Sequence, residues 1–264
     1  MKADLHVHTS ISDGVYAPKD VIKAAEKAGL NILSMTDHDS LLAYGDGLPS
    51  ANLRLIVGCE FTTSHNGCEY HILGYFKAAP AAGFIRYIEG IADERRERMR
   101  EAFRRMGARG IGLNFDDFLA RQTSRVLTSA HVARYMTGIG VVASEKEAFQ
   151  RFLKRGESVV PLPTTPMMHA IELINQAGGI SIWAHPPLAE LHHFVESAIE
   201  HGLQGIEVCN FWHPDADSIP FRHVAKKYSL LTTGGSDYHS DTHPCPLGTY
   251  YVSEDLIDRF LDRL

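Results

Sequence analysis

Residues 3–13 read A-D-L-H-V-H-T-S-I-S-D. Leu5 and Val7 alternate with His6 and His8, so the run reads as a buried strand that carries two imidazoles. Positions two apart on a strand point the same way, so His6 and His8 can share one cation. Whether they do depends on ligand-type residues arriving at the ends of other strands. The rest of the chain supplies them.

Outward from this stretch, the first third alternates strands and helices. Residues 18–28 form a predicted helix, with Pro18 in its first turn and Gly29 as its stop. Residues 31–36 are a second predicted strand, followed by D-H-D. Residues 53–62 and 69–76 read as further strands around the turn S-H-N-G. The pattern then changes. Residues 83–107 form an Arg-rich helical stretch, with shorter helical segments near 116–121, 129–136 and 144–153. We therefore expect residues 78–164 to be a helical insertion over the active site, and 1–77 with 165–264 to be the domain that carries it. Alternation returns with a helix at 166–177 and the strand G-G-I-S-I-W-A before His185. A helix at 188–202, the strand G-I-E-V, a helix at 220–228 and a strand at 230–233 follow, leading into G-G-S-D-Y-H. Repeated strand–helix units predict a parallel sheet, open or closed into a barrel.

Composition sets limits. With 44% apolar residues the chain can build a substantial core. It has no apolar run of about 18 residues, so no membrane contact is expected. The N-terminus goes straight into a strand, and Cys59, Cys68, Cys209 and Cys245 lack C-x-x-C spacing. Both features suggest a cytoplasmic protein with reduced thiols. The net charge of −6 is uneven: Arg86 to Arg155 carries +6, leaving −12 elsewhere. Acidic residues that bind cations, faced by a basic segment, would suit an anionic substrate. Most of those arginines also fit a solvated helix face.

The ligand-type residues fall at the strands. His6, His8 and Asp13 follow the first, Asp37-His38-Asp39 the second, Glu60 and His71 lie on the next two, and His185 and Asp237-x-His239 end later strands. The C-terminal ends of strands are where barrel active sites form. Burying so many His, Asp and Glu together without cations carries a heavy desolvation cost. Imidazole with carboxylate suits Mn, Zn or Fe.

These motifs resemble a known family. D-L-H-V-H-T-S-I-S-D-G, M-T-D-H-D, G-C-E-F, H-I-L-G-Y, W-A-H-P and G-G-S-D-Y-H are similar, in order and spacing, to the PHP (polymerase and histidinol phosphatase) family. The resemblance runs from residue 3 to about 240, outside part of the insertion. It implies an α/β fold, a distorted (β/α)7 barrel, with two or three divalent metal ions. It places His6, His8, Glu60 and Asp237 on the first metal. Glu60, His71 and His185 would hold the second, and Asp13, His38 and His239 the third. Asp37 would orient a histidine, and Asp39 would be a helix cap or loop residue. Metal-bound hydroxide would attack phosphorus, with Asp13, His38 and His239 as candidates for proton transfer to the leaving group.

Within the family, the insertion resembles that of nucleotide-directed phosphoesterases. Their substrates include nucleoside 3′,5′-bisphosphates and the ends of short single-stranded RNA or DNA. The matching residues are Arg95 and Arg98 in E-R-R-E-R-M, and His131 and Arg134 in S-A-H-V-A-R-Y-M. An Arg can clamp a second phosphate bidentately. The chain departs from that pattern where it has Ser129-Ala130, Glu157 and Pro187-Leu188. Arg121 or Arg125 would have to compensate. The departures weaken the bisphosphate assignment and leave open a small phosphate monoester such as histidinol phosphate. Trp212 and His213 read as a wall against a base or as a packed loop, and His243 as a flank of the pocket. Glu207 reads as a residue that orients a ligand or caps a turn.

Two other classes compete. An amidohydrolase-type C–N hydrolase would normally carry a bridging Lys, and no strand end has one. A non-catalytic PHP module would be expected to have lost ligands, and here every ligand position is filled.

Overall fold

The computed structural model describes residues 1–45, 48–154, 156–210, 218–241, 246–248 and 252–264. Two sheets form its centre. The first has the order β3-β2-β1-β9, with β1 Lys2–Val7, β2 Ile32–Met35, β3 Arg54–Leu55 and β9 Val252–Ser253. The second has the order β4-β5-β6-β7-β8: β4 Val57–His65, β5 Cys68–Phe76, β6 Ile180–Trp183, β7 Gly205–Asn210 and β8 Leu231–Gly235.

The sheets meet at two seams. On one, Asp237 N donates to His6 O (2.8 Å) and His8 N donates to Tyr238 O (2.9 Å). On the other, Asp39 N donates to Glu60 O (2.9 Å) and Glu60 N to Asp37 O (3.3 Å). The first seam requires a glycine: a Cβ on Gly235 would lie 2.4 Å from His6 N. Asp4 reinforces it, since its buried carboxylate accepts from Ser236 N (2.9 Å) and His6 N (3.4 Å).

Sheet direction differs from the parallel expectation. β4 and β5 are antiparallel, as are β5 and β6. The cause is local. Asn66 and Gly67 both have positive φ, +46° and +76°, and such an Asn-Gly pair makes a two-residue hairpin that cannot serve as a parallel crossover. The single strand expected over 53–62 is two. The chain leaves β2 at Leu55 and joins β5 from Val57, with Ile56 N donating to Leu33 O (2.9 Å). β9 and the helix after it, α9 (Glu254–Leu261), were not among the expected elements. They pack Val252, Ile257 and Phe260 into the core that also holds Leu5 and Tyr75.

Helices flank the sheets: α1 Pro18–Lys27 after β1, α6 Met167–Gln176 before β6, α7 Leu188–Glu200 before β7 and α8 Ile219–Lys227 before β8. Between β5 and α6 lie α2 Ala82–Ala108, α3 Phe115–Ala120, α4 Ser129–Gly138 and α5 Glu145–Ala148, the last running into a π turn, Phe149–Leu153. These helices have their own apolar cluster, centred on Phe103, Phe118, Val132 and Met136. The α2 face turned to the sheets buries Ile88, Ile91, Arg95 and Arg98. Two arginines on a buried face need partners, and they find them at the site.

Candidate metal centre

The residues quoted from separate strands converge. His6 and His8 are fully buried, and their Nε2 atoms have no hydrogen-bond partner. Both point at the same carboxylates. His6 Nε2 is 3.3 Å from Glu60 Oε1 and 3.5 Å from Asp237 Oδ1. His8 Nε2 is 3.2 Å from Glu60 Oε2 and 3.2 Å from Asp237 Oδ1. Glu60 also faces His71 Nδ1 at 3.0 Å and His185 Nε2 at 3.2 Å. Asp13 faces His239 Nε2 at 3.3 Å and His38 Nε2 at 3.7 Å. In four overlapping groups drawn from these nine residues, the potential ligand atoms all lie within 4.8 Å of one another. Buried, orphaned imidazole nitrogens aimed at ionised carboxylates are the donor set that divalent transition metals require, so these residues fit the metals the motifs imply.

The electrostatics agree. Burial works against ionisation at Glu60, but the His6, His71 and His38 imidazoles outweigh it and hold its pKa well below the usual carboxylate range. Asp237 is lowered likewise, by His6 and then His8 and His239. Burial would also lower His8, yet Asp237 and Glu60 raise it to about 10. At His38 burial prevails, and its pKa falls well below the ordinary value. A cation at this cluster would replace those protons as the partner of the carboxylates.

Ring orientation is set from behind. Glu207, fully buried, lies 3.1 Å from His6 Nδ1 through Oε1, and its Oε2 accepts from His185 N at 2.8 Å. It therefore orients the His6 ring and does not cap a turn. His71 Nε2 lies 3.5 Å from Glu69, which Arg98 holds at 2.8 Å. Glu69 gave no sequence signal beyond standing two residues before His71. His185, Asp237 and Asp39 all have positive φ, at +29°, +53° and +41°. Such backbone strain in non-glycine residues gathers at functional sites.

Two placements differ from expectation. His71 lies early in β5, not at a C-terminal strand end. It reaches the cluster because β5 runs antiparallel to its neighbours. Asp37 does not hold a histidine. Its carboxylate accepts from Thr9 N (2.8 Å), Ser12 N (3.1 Å) and Ser12 Oγ (2.6 Å), and so anchors the loop that carries Asp13.

The cluster forms one wall of a cavity of about 640 Å³, which the helices between β5 and α6 close from the other side. Comparison with known proteins is consistent with this picture. The PHP domain model matches residues 4–103. A 5′-3′ exoribonuclease of Haemophilus influenzae is 30% identical over 97% of this chain and 96% of its own length. The chain belongs to the PHP family. A 3′,5′-nucleoside bisphosphate phosphatase of Chromobacterium violaceum is 29% identical over 90% of the chain and 87% of its own length. The solved structure of an amidohydrolase from Chromobacterium violaceum superposes with a TM-score of 0.86, covering 100% of this chain and 97% of that one at 24% identity, a likeness of fold alone. This PHP protein is a metal-dependent phosphoesterase. Among the described residues, no helix is long and apolar enough to cross a membrane.

The PHP protein's expected phosphate-binding residues are placed unevenly. Arg95 and Arg98 reach the cavity wall but are buried and engaged. Arg95 donates to Asp39 (2.7 Å), Leu127 O (3.0 Å) and Thr62 Oγ1. His131 is buried and caps α4, its Nδ1 accepting from Thr128 N at 3.1 Å. Arg134 donates to the Asp13 carbonyl and does not line the cavity. Arg125 is exposed in a separate groove beside Arg96 and Leu119. Arg121 pairs with Asp117 on the surface. Trp212, His213, His243 and Cys245 lie outside the described residues.

Proposed function

We propose that the protein removes phosphate from nucleotides or short oligonucleotides, using two or three divalent ions. The observation that carries this reading is the convergence of nine ligand-type side chains, two with orphaned nitrogens, on one wall of a cavity large enough for a nucleotide. Relatives named as an exoribonuclease and a nucleoside bisphosphate phosphatase, matched over 90% of the chain or more, support the nucleotide class.

In this reading β1, β2 and β4 to β8, hydrogen-bonded at both seams, make a distorted (β/α)7 barrel from residues 1–77 and 165–264. Residues 78–164 are the insertion that roofs it. His6, His8, Glu60 and Asp237 would hold the first metal, Glu60, His71 and His185 the second, and Asp13, His38 and His239 the third. When bound, such ions neutralise phosphate oxygens and acidify a water nucleophile. The protein contributes position and proton control. Glu60, kept ionised by the imidazoles around it, would be shared by the first two sites. Glu207 and Glu69 lock the His6 and His71 rings. Asp13, with the Nε2 atoms of His38 and His239 within 3.7 Å of its carboxylate, forms with them the group of candidates for contact with the leaving alcohol.

The test is phosphate release from a panel of nucleoside monophosphates, nucleoside bisphosphates, 5′-phosphorylated oligonucleotides and histidinol phosphate, with added Mn²⁺. Turnover of the nucleotide members supports the reading. Turnover of histidinol phosphate alone rejects it in favour of a small-monoester phosphatase.

A further inference from the structure

The cavity wall that faces the metal cluster carries an apolar patch. Met99 from α2, Phe149 and Leu153 from the π turn, and Val160 and Leu162 after it all line it. Phe149 and Leu162 are also among the exposed large hydrophobics, at 38% and 40%. Apolar side chains left accessible inside a cavity beside a catalytic centre suggest a ligand that covers them. The π turn is itself a distortion that recurs at functional sites.

The cations on that wall are already committed. Arg95 spends its donors on Asp39, Leu127 O and Thr62 Oγ1. Arg98 donates to Pro161 O and to Glu69. Glu69, which also lines the cavity, neutralises Arg98 and leaves that charge unavailable to a second phosphate. Ala130 and Pro187, from the stretches where the chain departs from the nucleotide-directed pattern, line the same space. Among the described residues, the cavity has an apolar seat and no uncommitted arginine.

We propose that the site selects esters of a single phosphate whose alcohol is bulky, flat and uncharged, such as a nucleoside, over esters carrying a second phosphate. Phe149 and Leu162 seat the base while the scissile phosphate lies on the metal side. The inference rests on the phosphoesterase reading and narrows it.

The experiment compares kcat/KM of the Mn²⁺-loaded protein for adenosine 3′-monophosphate, adenosine 3′,5′-bisphosphate and glycerol phosphate. The monophosphate is expected to exceed the bisphosphate by about tenfold, since a second phosphate left unpaired opposes binding. F149A and L162S are each expected to lower the ratio of kcat/KM for adenosine 3′-monophosphate to that for glycerol phosphate by about tenfold, mainly through KM. Both positions are part-exposed, so neither change should unfold the protein. Preference for the bisphosphate, or an unchanged ratio in both variants, overturns the proposal. Release of phosphate from none of the three esters overturns the phosphoesterase reading beneath it.

Discussion

Arg95 Nε lies 2.7 Å from Asp39 Oδ2, tying α2 to the residue that follows His38. Asp39 Oδ1 in turn accepts from Thr62 N at 3.0 Å, two residues after Glu60. One buried ion pair thus connects the helical roof to two strands of the metal centre.

Arg95→Met should leave the Asp39 carboxylate buried without its partner. The expected cost is about 3–5 kcal/mol, read as a melting temperature lower by about 10 °C. Adding Asp39→Asn to that variant should recover part of the loss, because the stranded charge is gone. A melting temperature equal to wild type in Arg95→Met contradicts the pairing.

Glu207→Gln should weaken Mn²⁺ binding by about 10–100-fold, as loss of an outer carboxylate behind a ligating histidine does. Titration calorimetry measures the affinity, and an unchanged far-UV circular dichroism spectrum shows that the fold is kept. Equal affinity in wild type and variant removes the orienting role assigned to Glu207.

Asp13→Ala, His38→Ala and His239→Ala should each cut kcat for phosphate release by about 100-fold or more. These three residues are assigned to one metal and to the leaving group, so wild-type turnover in any one of them breaks that assignment.

Stability should depend on pH through His131. Burial lowers its pKa from 6.5 to about 4, and its neutral Nδ1 accepts the α4 capping bond. Between those values the unfolded chain binds the proton and the native one does not. The contribution is therefore complete above pH 6.5 and is lost as pH falls toward 4. At full size it is about 3 kcal/mol. Urea unfolding should show a wild-type advantage over His131→Gln that is larger at pH 7 than at pH 4.5. An advantage independent of pH would mean that His131 does not titrate in this way.

The clustering of these residues was legible because strand-borne His, Asp and Glu carry chemistry that burial alone does not explain. All nine meet at the cluster. Strand direction was harder to read. The turn at Asn66-Gly67 was read, but strand–helix alternation on either side favoured a parallel sheet, so the reversal of β5 that carries His71 to the cluster was not. The partners of the arginines were not legible for a different reason. Periodicity places Arg95 and Arg98 on the inner face of a helix, but nothing in one sequence says whether Asp39 and Glu69 or a phosphate will meet them there. Asp4 and Glu69 stand two residues from ligands in the alternating pattern and could have been read from that spacing.

The most direct test of the central claim is a metal count per chain. Protein loaded with Mn²⁺, desalted and analysed by inductively coupled plasma mass spectrometry should retain about two or three ions. Glu60→Ala, which removes the shared carboxylate, should retain fewer. Wild-type protein that retains no more manganese than the desalting blank contradicts the account.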